Sequence, residues 1–435
     1  MRTAFRLLVV LIGLSPLFLA ADSLIFHGIL TAYVAVTMIV VAWSIYPGEA
    51  DYLSKIIRPA LILASIPAAW MLIQALPLPI SSMQHPVWGS AQAALSKSLV
   101  GSMSIDPGAT LIGFARYLSA CGLFFIATSV TIDRQRAEIA LFLLAAITTL
   151  MAALLIIHNL MGFMFLEEIS SVGPRASIAA ATTLGTVLTA ATVIYAIERY
   201  ETRRSHADVS GRTFAIIIVA ALFGFAVCWI AILFFMSGPA TFAAVCGVGT
   251  LVLIVGFRRL GLESRLGFIL AAVAVAVPLS IVARTAMAEK LDLTLRFDAD
   301  APRSFVELVQ RMVSDTNWLG SGAGTFPALL PIYQSSADMI AASVAPTTAA
   351  GILIELGYPA LWLIVIMAVV AAIWFIHGAL ERGRDSFFPA AGASCVVVLL
   401  IEAFIDASLS GSTVIVIAMT ALGLGLSQSV SRTSR

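Results

Sequence analysis

The chain is 435 residues long, 60% hydrophobic and 11% charged, less than half the charged share of about 25% found in ordinary soluble domains. Its 25 Lys+Arg nearly balance 24 Asp+Glu, so it carries no basic footprint for nucleic acid. With a mean hydropathy of +1.01, the composition excludes a globular cytosolic enzyme and a disordered chain, and it points to an all-α, polytopic membrane protein.

Taken in chain order, apolar runs predict membrane spans at 7–21, 24–46, 57–76, 109–129, 138–158, 176–196, 214–236, 240–257, 266–283, 358–377, 387–406 and 411–429. That is about twelve spans in one integral membrane domain, 1–435. The first two runs follow each other so closely that they read as a retained hairpin. The other reading of the first is a signal peptide, with Arg2 and Arg6 ahead of the apolar core and Ala20-Ala21 behind it. Every segment that would face the cytoplasm from an inside N-terminus is basic, from Arg2 and Arg6 through Arg134 and Arg136 to Arg432 and Arg435. The short outer loops hold only Lys97 and Arg175. The positive-inside rule therefore places both termini in the cytoplasm. Cys121, Cys228, Cys246 and Cys395 all lie within apolar runs and read as small buried hydrophobes, without disulfide or metal spacing.

Three outer loops are expected at 77–108, 159–175 and 284–346. In the largest, Phe305, Val306, Leu308, Val309, Met312 and Val313 fall on one broad helical face. They predict an amphipathic helix against the membrane surface or against the bundle. Trp318 follows, at a depth suited to an interfacial aromatic residue. Gly320, Gly322 and Gly324 then mark a tight turn. The lysine and Ser/Thr of a nucleotide loop are missing, so the turn is either structural or offers its amides to a lipid-linked phosphate.

Ionisable residues inside spans are costly and tend to mark function. Arg116 lies within the fourth span and Arg175 at the mouth of the sixth. Glu355 precedes the helix break at Gly357-Tyr358-Pro359. Glu402 and Asp406 are four apart on one face of the eleventh span, where two carboxylates suit a cation, an arginine or a proton. All five lie toward the outer face. Such a site suits a lipid-anchored substrate whose head group sits outside, and a diphosphate head calls for arginines.

At these residues the sequence resembles the bacterial O-antigen ligase / polysaccharide polymerase family, in particular its exopolysaccharide polymerization branch. The stretch Ser104–Thr110 is similar to the family's aspartate-proline segment. Val172–Ala179 resembles an arginine-bearing start of a central span. Pro302–Phe326 is similar to a loop whose arginine opens a helix that ends in a glycine-rich turn. Glu402–Asp406 and Gly423–Gln428 resemble the last two spans. The family's usual histidine-asparagine pair is replaced here by Pro346-Thr347, and its histidine-serine by Glu402-Ala403.

The resemblance implies a glycosyltransferase C-like bundle in the bacterial inner membrane, with short helices in its periplasmic loop. It implies transfer or polymerisation of glycan repeat units from an undecaprenyl-diphosphate-linked donor to an acceptor glycan or lipid hydroxyl. The chain would work among membrane lipids and other polysaccharide assembly proteins, with no cofactor and no metal. Arg303, Glu355 and Arg175 are the implied catalytic residues, with Glu355 the base in place of the absent histidine. Arg116, Arg296, Gly322, Gly324, Glu402 and Asp406 are the implied substrate-binding residues. Two other classes stay open: a lipid or glycan transporter, and a catalytically inactive relative serving as a scaffold.

Overall fold

A computed structural model describes residues 1–19, 24–45, 47–78, 83–161, 172–204, 211–236, 238–259, 303–334, 344–381 and 385–429. The secondary structure in them is helical: α1 Arg2–Leu14, α2 Leu24–Ser44, α3 Pro47–Ala75, α4 Pro86–Leu95, α5 Pro107–Val130, α6 Arg134–Met161, α7 Val172–Arg204, α8 Gly211–Phe235, α9 Gly238–Arg259, α10 Arg303–Asp315, α11 Phe326–Tyr333, α12 Thr348–Leu356, α13 Tyr358–Glu381, α14 Phe387–Ile405 and α15 Ser412–Ser427. One isolated bridge pairs Pro77 with Ser102. Among the described residues ten helical segments are long and apolar enough to cross a membrane. They match the first eight expected spans, together with those at 358–377 and 387–406. The expected span 266–283 lies outside the described residues. The expected span at 411–429 holds α15, an apolar helix of 16 residues, shorter than those ten.

The bundle centres on α7, α14 and α15. These helices bury most of their residues, whereas α2, α3 and α8 leave large apolar side chains such as Ile25, Ile62 and Phe223 exposed. That split is the membrane pattern, in which apolar surface faces lipid and packing rather than hydrophobicity joins the helices. Small residues bring the central helices together: a Cβ on Gly392 of α14 would lie 3.2 Å from the Cα of Gly425 on α15. On α7, Thr182, Thr183, Thr186, Thr189 and Thr192 are buried, and each hydroxyl donates to a carbonyl three or four residues back. Polar side chains are thereby satisfied inside their own helix. The first helix belongs to the bundle: the Tyr33 hydroxyl donates to the Leu7 carbonyl at 2.8 Å, and Thr413 Oγ1 to the Ser15 carbonyl at 2.9 Å.

One end of the bundle is tied by an ionic network. Glu138 of α6 accepts from Arg199 at 2.7 Å, from Arg134 at 3.0 Å and from the Tyr195 hydroxyl at 3.0 Å. Arg134 reaches on to Asp385, ahead of α14, at 2.8 Å. The Glu138 side chain is 13% exposed. Glu138→Ala should therefore cost about 1–3 kcal/mol by leaving two arginines without their shared carboxylate. A thermal melt of the detergent-purified protein checks this.

The opposite end carries the short helices. The apolar face of α10 is buried as its periodicity predicts, with Phe305, Leu308, Val309, Met312 and Val313 packed inward. It lies against α11 and α12, and the Phe305 and Phe326 rings meet edge to face at 6.5 Å. Its apolar face is thus buried within the protein, against those two short helices. Trp318 is exposed beside Tyr358, their rings 5.8 Å apart.

Candidate active site

The site begins at the start of α5. Asp106 is its N-cap, with Oδ1 accepting from the Gly108 and Ala109 amides at 2.9 and 3.0 Å, and Pro107 fills the first helical position, where no amide partner is needed. Ser104 and Thr110 share a buried hydroxyl–hydroxyl bond of 2.7 Å. The aspartate-proline segment thus fixes a helix start and places two hydroxyls beside it.

Onto this start the glycine turn is fastened from three sides. The Ile105 amide donates to the Ser321 carbonyl at 2.9 Å. The Ser321 and Gly322 amides donate to the carbonyls of Ile354 and Glu355, at 3.0 and 2.8 Å. Buried Gln74, at the end of α3, donates to the Leu319 and Glu355 carbonyls at 2.8 and 3.1 Å. Trp70 Nε1 donates to the Leu356 carbonyl at 2.9 Å. Gly322 sits at φ +109°, and a Cβ there would run into Ser104 Oγ and lie 2.6 Å from Thr110 Oγ1. The amides of Gly320, Ser321, Gly322, Gly324 and Thr325 all have protein acceptors. The backbone that the sequence offers to a phosphate is thus already engaged, and Gly322 and Gly324 serve here to close the turn.

Glu355, near the end of α12, holds that turn with its side chain. One carboxylate oxygen accepts from the Gly324 amide at 2.8 Å and the other from the Phe326 amide at 3.2 Å. Burial pushes its pKa up to about 7, against the pull of those two hydrogen bonds and of the Arg116 charge. Each oxygen keeps a lone pair beyond the one its amide uses. The group is a partly accessible carboxylate that titrates near neutrality, as a general base requires.

Arg116 lies nine residues into α5, about 13 Å along the helix. It is exposed and forms no ion pair within 4 Å among the described residues. It lines a narrow cleft with His27, Ser119, Ser410 and Ser412. The His27 ring and the Ser412 hydroxyl share a hydrogen bond of 3.1 Å there.

Glu402 and Asp406 do not join Glu355. The Asp406 carbonyl accepts the amide and hydroxyl of Thr348, at the opposite end of α12, about 10 Å of helix from Glu355. Asp406 Oδ1 caps the short turn Ser408–Ser410 through the Ser408 amide at 2.9 Å. Glu402 is fully buried. Its Oε1 lies 2.9 Å from Thr183 Oγ1, and Oε2 has no hydrogen-bond partner among the described residues. Arg175 falls in the first turn of α7, and Arg303 opens α10 as the sequence predicts. The side chains of both, and the whole of Arg296, lie outside the described residues.

Glu355, Gly322 and Gly324 are therefore the expected residues that come together, with Arg116 near enough for its charge to act on Glu355, and Gln74, Trp70, Ser104 and Asp106 complete their setting. Ser104 and Asp106 lie in the aspartate-proline segment that the sequence singles out; Gln74, an amide closing an apolar run, and Trp70 needed the fold. Comparison with family models finds none that matches this chain, and comparison with curated proteins finds none of significant similarity.

Proposed function

We propose that this chain is a glycan-joining enzyme of the bacterial inner membrane. In this reading it has about twelve spans in a glycosyltransferase C-like arrangement, both termini in the cytoplasm, and its site open to the periplasm. One observation carries the reading: Arg116, an arginine within the expected fourth span that makes no ion pair within 4 Å among the described residues, lines a cleft near enough for its charge to pull on Glu355, a carboxylate whose pKa burial pushes up to about 7. An arginine within a span is costly, and an anionic head group at the cleft mouth would offset that cost.

The proposed donor is a glycan on undecaprenyl diphosphate. An acceptor hydroxyl oxygen forms a bond to the anomeric carbon, and the bond from that carbon to the diphosphate breaks. The lipid diphosphate leaves with the electron pair, and Arg116 offsets its charge. Glu355 takes the proton of the acceptor hydroxyl. Arg175, Arg303 and Arg296 remain proposed diphosphate contacts, and Glu402 and Asp406 proposed substrate contacts. Other polysaccharide assembly proteins are the proposed partners.

The test is a reconstituted vesicle assay with lipid-linked repeat units and a free glycan acceptor. Joining should lengthen the acceptor, and Arg116→Ala should slow it about 10²-fold or more. A second reading, transport, draws on Glu402, a buried carboxylate with one oxygen lacking a partner among the described residues, which is a mark of proton and ion pathways. Lipid-linked glycan that changes leaflet with every bond intact would favour transport. No change in either assay would favour the scaffold.

The orientation makes a separate prediction. Cysteine placed at Ser314, exposed on α10, should react with a membrane-impermeant thiol reagent in intact cells, and cysteine at Gln135, exposed at the start of α6, should not. Reversed labelling would put the site in the cytoplasm and end the proposed use of an outer-leaflet donor.

A further inference from the structure

On the far side of the glycine turn from α5 lies a second, wider cavity. Its volume is about 480 Å³, within the roughly 300–1,000 Å³ of small-ligand sites. It is walled by His85 at the start of α4, by the end of α10, by the turn itself and by Tyr333 of α11. Arg116 and Glu355 are not among its lining residues, but Ile354 and Gly320 are. It therefore shares a wall with the site described above.

The lining supplies donors, acceptors and apolar patches together. Burial and the nearby carboxylate of Asp315, exposed at the end of α10, raise the pKa of the Tyr333 hydroxyl. A carboxylate has lone pairs for several hydroxyl donors. The exposed Asn317 side chain has no hydrogen-bond partner among the described residues, so it offers both an acceptor and a donor. His85 Nδ1 accepts the Val87 amide at 3.3 Å, which assigns the ring proton to Nε2 and leaves that edge a donor. Burial lowers the His85 pKa and keeps the ring neutral. Met312, Leu329 and Ile354 supply apolar surface.

Charge narrows the ligand class. Among the described residues Asp315 is the one charged side chain in the lining, and no Lys or Arg of theirs faces the cavity. A phosphate or a uronic acid would meet a carboxylate without a counter-charge. A purely apolar chain would strand Asp315, Asn317 and His85 without partners. A polyhydroxylated ligand without negative charge satisfies both groups of atoms. Its hydroxyls pair with the carboxylate, the amide and the imidazole edge, while its C–H faces lie on Met312, Leu329 and the Tyr333 ring. We propose that this cavity binds a neutral saccharide segment. Its place in the reaction, as the subsite that holds the acceptor glycan, rests on the glycan-joining reading; the binding does not.

The test uses the full chain in detergent micelles and three neutral trisaccharides, cellotriose, maltotriose and laminaritriose, with trigalacturonate as the acidic control. Saturation-transfer NMR should show at least one neutral trisaccharide bound and trigalacturonate excluded. Asp315→Ala should weaken that binding about 10-fold, and Asn317→Trp should block the cavity. Both positions are exposed, and an unchanged melting temperature would verify that the variants fold. Binding of no neutral trisaccharide, preference for trigalacturonate, or binding indifferent to both substitutions would overturn the proposal.

Where the wild type joins glycans, the acceptor KM should rise about 10-fold in Asp315→Ala with the donor KM unchanged. An unmoved acceptor KM would remove the cavity from the reaction and leave the joining activity standing. Trisaccharide binding by a protein that joins nothing would retain the saccharide site and sink the enzymatic reading instead.

Discussion

Glu355→Gln is expected to cut glycan joining about 10²-fold or more, with the protein still inserted in the membrane. Chemically, the substitution removes the proton acceptor. Structurally, it is less innocent than its shape suggests. The carboxylate accepts one backbone amide on each oxygen, from Gly324 and Phe326, whereas a carboxamide has one oxygen to accept and turns an NH₂ toward the other amide. Some loss of thermal stability should accompany the loss of rate. Glu355→Asp separates the two effects, because it keeps a proton acceptor and two accepting oxygens on a shorter arm; it should regain part of the activity lost in Glu355→Gln.

The pH profile gives an independent check. In the proposed mechanism the acting form is the ionised carboxylate, so the wild-type rate should rise with pH and level off above about 7, the value to which burial lifts this group. Stability should run the other way. The folded-state pKa of about 7 exceeds the ordinary 4.5, so the folded protein holds this proton more tightly than the unfolded chain. The stabilisation is full below 4.5 and is lost as pH rises through about 7. Glu355→Gln should flatten both profiles in that window.

Gly322→Ala is expected to have the largest effect on folding at the site end. A residue with a Cβ is strained at φ +109°, and the added methyl would be driven into Ser104 and Thr110. The backbone strain alone costs about 1–3 kcal/mol, and the clash adds to it. The variant should melt well below the wild type in detergent and lose the protection of the turn from proteolysis. Ser104→Gly added to Gly322→Ala removes the hydroxyl that stands closest. It should restore part of the melting temperature and leave the φ strain in place. A double variant no better than the single would show that the Ser104 contact is not what the turn depends on.

These two residues also show how far the sequence could be read. Long apolar windows sufficed for the spans, because hydropathy is a local property. The buried face of α10 followed from its 3.6-residue period. The shortness of α15 was not legible: its neighbours are apolar as well, and hydropathy does not tell a helix that crosses lipid from one enclosed by other helices. The glycines announced a turn, but whether its amides were free depended on carbonyls at 354 and 355, more than thirty residues away in sequence. Gln74 meets Glu355 across 281 positions, a distance no local pattern spans. Hydropathy groups Glu402, Asp406 and Glu355 together, but it does not show that Asp406 meets α12 at the end opposite Glu355.

The central claim is that Arg116 acts on a lipid-diphosphate donor while Glu355 takes the proton of the acceptor hydroxyl. Its most direct measurement is single-turnover release of undecaprenyl diphosphate by the purified protein at pH 8, with a saturating glycan acceptor, in wild type, Glu355→Gln and Arg116→Ala. The account predicts stoichiometric release by the wild type, with each release matched by one unit added to the acceptor, and slowing of about 10²-fold or more in each variant. Release at the wild-type rate in both variants, or a wild-type protein that binds the donor and releases nothing, would contradict it.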